Sequence, residues 1–144
     1  MKRTDVTIQI VDWSTAQALV MPLRTAVFVI EQGVPPELEL DEYDAVSQHA
    51  IAADQVNTVV ATGRLLPDGH IGRMAVAHSE RGNGLGTAVL MALIDKARRM
   101  GLNRVVLHAQ LTARGFYTRN GFTAFGPMFM DAGIEHVAME KKFG

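Results

Sequence analysis

The chain has 144 residues, 48% of them hydrophobic and 20% charged, and its 14 basic and 15 acidic residues leave a formal net charge of -1. That length suits one domain around one core, the composition argues against a disordered tail, and the charge balance offers no bulk attraction for nucleic acid or an anionic membrane. Cysteine is absent, which excludes a disulfide framework, a thiolate nucleophile and a zinc site built on sulfur, and fits a cytoplasmic protein.

After Met1-Lys2-Arg3-Thr4-Asp5, the run from Val6 to Val11 alternates like a half-buried strand rather than a signal core, and no stretch reads as long enough to span a bilayer. Asp12-Trp13-Ser14 offers cap chemistry for a helix starting near Thr15, with Leu19, Val20, Leu23, Val27 and Phe28 at helical spacing. Pro22 is expected to kink this helix or begin its second half, and Gly33-Val34-Pro35-Pro36 ends it. The most acidic run follows, from Glu37 to Asp44. It reads either as a solvated loop or as a functional run, a site for a cationic acceptor or a base for an amine. Gln48 to Ala53 and Thr58 to Leu66 are predicted strands, and the Pro67-Asp68-Gly69 turn leads into a third, His70 to Val76. Three strands in hairpin connection make an antiparallel meander.

The stretch Arg81-Gly82-Asn83-Gly84-Leu85-Gly86-Thr87 then opens a helix predicted from Thr87 to Met100 and closed by Gly101. Glycines let a backbone approach an anion closely, and the first helical turn offers unpaired N–H groups and a positive dipole end. A phosphoryl group is the natural guest, with Arg81 adding a full charge. Competing motifs fail on the same residues. A P-loop needs Lys-Ser/Thr after its last glycine, where this chain has Thr87-Ala88. A dinucleotide fingerprint needs a third glycine where Thr87 or Val89 stands, and an acidic residue where the next strand runs into Gln110. Arg104 to Gln110 is predicted to be a buried strand parallel to the one before the helix, because a helical crossover joins them. Leu111 to Arg119 reads as a short helix, and Phe122 to Phe125 and His136 to Lys142 as the last strands. His108 is expected to be a core histidine, and His70 and His78 to be exposed. Histidines and acids do not cluster at metal-ligand spacing, so no metal site is expected. The fold class is mixed α/β with a mainly antiparallel sheet.

Arg81-x-x-Gly84-x-Gly86 directly after a strand resembles the acyl-CoA pyrophosphate signature of the GNAT superfamily of N-acetyltransferases. Phe116-Tyr117-Thr118-Arg119-Asn120-Gly121-Phe122 is similar to that family's second signature. A narrower resemblance, to the small bacterial ElaA-like or YjcF-like branch, lies in Arg24-x-x-x-Phe28-x-x-Glu31-Gln32, Glu39-x-Asp41-x-x-Asp44, His49 and Gly133-Ile134-Glu135-His136-Val137-Ala138-Met139. The resemblance implies one domain over residues 1–144, with six to seven strands and a V-shaped splay between strands four and five. It implies an N-acetyltransferase that moves an acetyl group from acetyl-CoA, its cosubstrate, directly to a primary amine of a small molecule. The alternatives are a non-catalytic acyl-CoA-binding regulatory module and an acyl-homoserine-lactone-synthase-like acyltransferase, since Arg24, Phe28, Asp41, Asp44 and Arg64 also echo the synthase pattern. A homodimer is compatible with this reading.

The resemblance also assigns roles. Met74, Ala75 and Val76 would meet the pantetheine arm, and Arg81, Gly82, Asn83, Gly84, Leu85, Gly86 and Thr87 the pyrophosphate. Gln110 would bond a pantetheine amide. Tyr117 occupies the position from which a phenol reaches the CoA sulfur as general acid, a role for which an ordinary phenol pKa near 10 is suitable. For the base, Glu31, Glu39, Asp41 and His49 are candidates that spacing does not separate, with Glu31 or Asp41 acting through water.

Overall fold

A computed structural model describes residues 5–143. Seven strands, β1 (Thr7–Val11), β2 (Gln48–Ala53), β3 (Val59–Leu65), β4 (His70–Val76), β5 (Arg104–Gln110), β6 (Thr123–Asp131) and β7 (Ile134–Lys142), form one sheet in the order β1-β2-β3-β4-β5-β7-β6. Every neighbouring pair is antiparallel except β4 and β5, which run parallel. The antiparallel meander, the parallel crossover and the class expected from sequence are all present.

Helices cover both faces, and the side-chain alternation of β2 shows how. Ala50 and Ala52 pack with Leu85, Val89, Leu90, Leu93 and Ile94 of α3 (Leu85–Arg99), whereas Ile51 points the other way, to Ala16 and Val20 of α1 (Trp13–Arg24). The buried residues of α3 recur every three to four positions, so one apolar stripe faces the sheet. α3 starts two residues earlier than its sequence pattern suggested.

The first helix is more unusual. Asp12 caps it by accepting from the Thr15 N–H at 3.1 Å. It runs through Pro22 without ending and passes into a π-helical segment, Thr25–Glu31. The wider winding begins three residues after the proline, whose ring withholds one N–H from the helical ladder. Together the two segments make a 19-residue helix, Trp13–Glu31, with mean hydropathy 1.2, which by length and composition could cross a membrane. That corrects the expectation that no stretch is long enough. In the fold the same helix buries Val20, Leu23, Val27 and Phe28 against the sheet and holds a fully buried arginine, Arg24, at its centre.

β6 is also longer than expected, ending at Asp131 rather than Phe125. Its register with β7 shifts between Phe125 and Phe129, where Gly126 (φ 76°) and Pro127 interrupt the ladder. β6 and β7 then join through Ala132 (φ 52°) and Gly133 (φ 78°). Two positive φ angles in a two-residue loop are the signature of a type I′ hairpin, which fixes Asp131 opposite Ile134.

Candidate active site

Pairing between β4 and β5 is limited to His70↔Val106 and Ile71↔Leu107. Beyond Ile71 the two strands diverge, so the β5-facing edge of residues 72–76 has no strand beside it. This is the V-shaped splay. One arm carries Met74, Ala75 and Val76 and leads to the glycine loop; the other ends at Gln110.

A bulge shapes the first arm. Thr62 pairs with Ala75 and Arg64 with Gly72, so Arg73 and Met74 together oppose Gly63 alone. Arg73 adopts φ 49°, a left-handed conformation rare for a side-chain-bearing residue. The bulge needs the glycine across from it. A Cβ on Gly63 would lie 2.5 Å from Met74 Sδ and 2.9 Å from Leu93 Cδ1.

The loop after β4 fits a phosphate. Gly82 (φ 85°) and Gly84 (φ 80°) take left-handed conformations, and Gly84 caps α3 without any side-chain hydrogen bond. The first N–H groups of α3 are therefore left to an external acceptor. Asn83 flanks them and donates to Glu80 at 3.4 Å. Gly86 and Thr87 lie in the first turn of the helix, while Leu85 is buried beneath it. Arg81 is half-exposed and donates to both carboxylate oxygens of Glu31, at 2.6 and 2.7 Å.

The next residue after Glu31 spans the opposite side of the opening, since the side-chain amide of Gln110 donates to Gln32 Oε1 at 2.8 Å. The end of the π-helical segment thus touches both arms of the V. A cavity of about 190 Å³ lies at this junction; apolar Phe28, Val34, Leu38 and Ile134 and polar Arg73, Asp131 and His136 line it together with Met74 and Gln110. A larger hollow of about 500 Å³ shares Arg73 and Asp131 with it and carries His70 and His108.

Tyr117 lies on α4 (Arg114–Arg119) and is 8% exposed, with its ring against Phe116 and Phe122. Burial pushes its pKa up to about 12. The phenol is neutral throughout the physiological range.

The acidic run from Glu37 to Asp44 is neither a solvated loop nor a free anionic site. Glu39 and Asp44 are buried, and α2 (Pro36–Glu39) and the turn after it are tied down by three arginines. Arg24 pairs with Glu39 and forks onto Asp44 at 2.8 and 3.1 Å. Arg64 forks onto Asp41 at 2.6 and 2.9 Å and reaches Asp44 at 2.9 Å. Arg73 donates to Asp41 at 3.1 Å and to the backbone carbonyls of Leu38 and Glu39.

These partners bear on the base candidates. Burial raises the Asp41 pKa, but the hydrogen bond and charge of Arg64 and the charge of Arg73 outweigh it and leave it below the ordinary carboxylate value. The Arg81 hydrogen bond likewise holds Glu31 down. A carboxylate made more acidic by a guanidinium is a weaker proton acceptor. His49 is fully buried, bonded through Nε2 to the Asp44 carbonyl at 2.9 Å and packed on Trp13. His108, expected in the core, faces out of the sheet instead, with its ring against His70 and Phe129. Its strand neighbours Leu107 and Ala109 are the buried ones.

The residue that sequence reasoning passed over is His136. It is 8% exposed, borders the smaller cavity, and pairs across β5–β7 with Gln110. Its Nδ1 lies 2.7 Å from the Ile134 carbonyl oxygen. It stood within a quoted motif, two residues past a turn, but nothing in the spacing gave it a cavity.

Fold and cleft together define an acyltransferase, and the chain belongs to the acetyltransferase (GNAT) domain family, whose model matches residues 14–143. Within it, the chain falls in the small ElaA-like and YjcF-like branch. It is 36% identical over 122 residues to the uncharacterised N-acetyltransferase YjcF of Bacillus subtilis strain 168, covering 83% of this chain and 87% of that one. Another protein of that organism, named as an acetyltransferase, is 39% identical over 126 residues, covering 83% of this chain and 85% of its own. The crystal structure of Escherichia coli ElaA superposes with a TM-score of 0.83 at 25% identity, over 95% of this chain and 99% of that one.

Proposed function

We propose that the protein transfers an acetyl group from acetyl-CoA to a primary amine of a small molecule, by direct attack within a ternary complex. The observation that carries this reading is the splay itself. It opens on one side toward the uncapped N-terminus of α3 and on the other toward the cavity bordered by Met74 and Gln110. A diphosphate at the loop and a thioester at the cavity would suit the two ends of one elongated ligand.

In this reading Arg81, Gly82, Asn83, Gly84, Leu85, Gly86 and Thr87 hold the pyrophosphate, and Met74, Ala75, Val76 and Gln110 line the pantetheine arm. When bound, acetyl-CoA supplies the activated acyl group. Backbone N–H groups beside the Arg73 bulge polarise the thioester oxygen, and Tyr117 protonates the departing thiolate. The chain has no cysteine to form an acyl-enzyme, and holding both substrates in one cleft can itself supply about 7–11 kcal/mol of the barrier lowering. The cavity is bordered by both Asp131 and Arg73, which suits a polar acceptor. The site of action would be the cytoplasm.

The test is a panel of small amines incubated with protein and acetyl-CoA, with release of free thiol as the readout. Turnover with at least one amine is expected, and it should fall when Tyr117 is replaced. Binding of acetyl-CoA with no turnover on any amine would instead favour a binding module.

A further inference from the structure

We propose that His136 is the catalytic base, the group that takes the proton from the acceptor amine; the proposal rests on the N-acetyltransferase reading. A carbonyl oxygen can only accept a hydrogen bond, so the 2.7 Å contact between Nδ1 and the Ile134 carbonyl requires the proton to sit on Nδ1. In the neutral ring Nε2 is then a bare acceptor. The ring is held in that orientation from two sides. The Ala132-Gly133 hairpin fixes the Ile134 carbonyl, and Phe129 stacks on the imidazole at 5.8 Å between ring centroids and 25° between planes.

Position supports the same role. His136 opposes Gln110 in the β5–β7 ladder and borders the cavity that also touches Met74, so it faces the junction of the two arms. Of the carboxylates near that junction, Glu31 is committed to Arg81 and Asp41 to Arg64 and Arg73, while Asp131 shares the border of the cavity with His136. The ionisable groups that border the same cavity are Asp131 from β6, Arg73 from β4 and Glu39 from α2, while His108 from β5 couples electrostatically to His136. Glu135, next to it on β7, is exposed on the other face of the strand.

The proton inventory closes. The neutral amine nitrogen attacks the thioester carbonyl carbon and forms the C–N bond, and the N–H made acidic by that attack passes its proton to His136 Nε2. Collapse breaks the C–S bond, and the thiolate leaves with a proton from the Tyr117 hydroxyl. Solvent then takes the proton from His136 and restores the one on Tyr117.

The discriminating variant is His136→Asn, because the Asn amide N–H can keep the bond to the Ile134 carbonyl while Nε2 is removed. With the best amine of the panel, kcat/KM should fall about 10²- to 10⁴-fold, with the Kd for acetyl-CoA unchanged. Histidine ¹⁵N NMR of the intact protein should report the Nδ1–H tautomer at His136. A variant with turnover within threefold of wild type, or an Nε2–H tautomer, overturns the proposal while leaving the enzyme reading intact. If acetyl-CoA binds and no amine is acetylated by wild type, the enzyme reading fails and the proposal falls with it.

Discussion

Arg81 meets Glu31 with both prongs of its guanidinium, Nη1 to Oε2 at 2.6 Å and Nη2 to Oε1 at 2.7 Å, while the same side chain donates to the Val76 carbonyl at 3.1 and 3.2 Å. The fork that would embrace a phosphate is therefore filled by a carboxylate of the same chain. Because both partners are well exposed, the pair is a weak lock, worth at most about 1 kcal/mol. Glu31→Gln should leave kcat close to wild type and tighten acetyl-CoA by up to about fivefold, since a competing charge beside the phosphate site is removed. Kinetics and calorimetry on the variant check this. A large fall in kcat at unchanged affinity would restore Glu31 as the base.

The arginine–carboxylate network under the cleft should dominate stability. Replacing Arg24 by Met leaves Glu39 and Asp44 buried with fewer partners, and should cost about 3–5 kcal/mol in urea unfolding. A loss below 1 kcal/mol would mean that the network adds little. The pH dependence has a definite sign. Burial raises the Asp44 pKa, but Arg24 and Arg64 outweigh it, so the folded value lies below the ordinary one, as it does for Asp41. Their contribution is present above the unfolded value of about 3.9 and disappears as pH falls through the lower folded values. Acid unfolding should therefore begin below about pH 4, and Asp44→Asn should flatten that limb.

Gly63 tests the bulge. A methyl group there would press on Met74, Leu93 and Val89 at once, so Gly63→Ala should cost about 1–3 kcal/mol by overpacking. The displaced Met74 should also weaken acetyl-CoA binding. Unchanged stability and affinity would show that the bulge is not held by this contact.

Tyr117→Phe separates acid catalysis from packing. The ring already lies between Phe116 and Phe122, so the variant should fold and bind acetyl-CoA normally while kcat drops about 10²-fold or more. With its pKa raised to about 12, Tyr117 should impose no alkaline limb on the rate below pH 10. The stability tied to its protonated form is complete below the unfolded value of about 10 and is lost only as pH rises through about 12. Unchanged kcat would assign the tyrosine to the core alone.

The strands β2, β4 and β5 and the glycine loop were legible in the sequence because each is written locally, in apolar runs, turn residues and positive-φ glycines. What escaped was set by distant partners. The acidic run stayed ambiguous because Arg24 and Arg64, which bury it, lie 15 or more residues away along the chain. β6 looked short because Gly126-Pro127 breaks the alternation that the ladder nonetheless spans. His136 gained its meaning only when the hairpin supplied a carbonyl to its Nδ1 and the splay supplied a cavity to its ring. The need for glycine at position 63 is a matter of steric approach across the sheet and leaves no trace in spacing.

The most direct test of the central claim is calorimetric titration of the purified protein with acetyl-CoA, with NADH and ATP as comparators and Gly84→Asp as the control. Gly84 sits at φ 80° at the head of α3, where an aspartate is strained and sets a negative charge against the phosphates. Selective binding of acetyl-CoA to the wild type, lost in the folded variant, is the predicted result. No binding to a folded wild type, or equal binding by the variant, would mean that the loop after β4 is a turn and not a phosphate site.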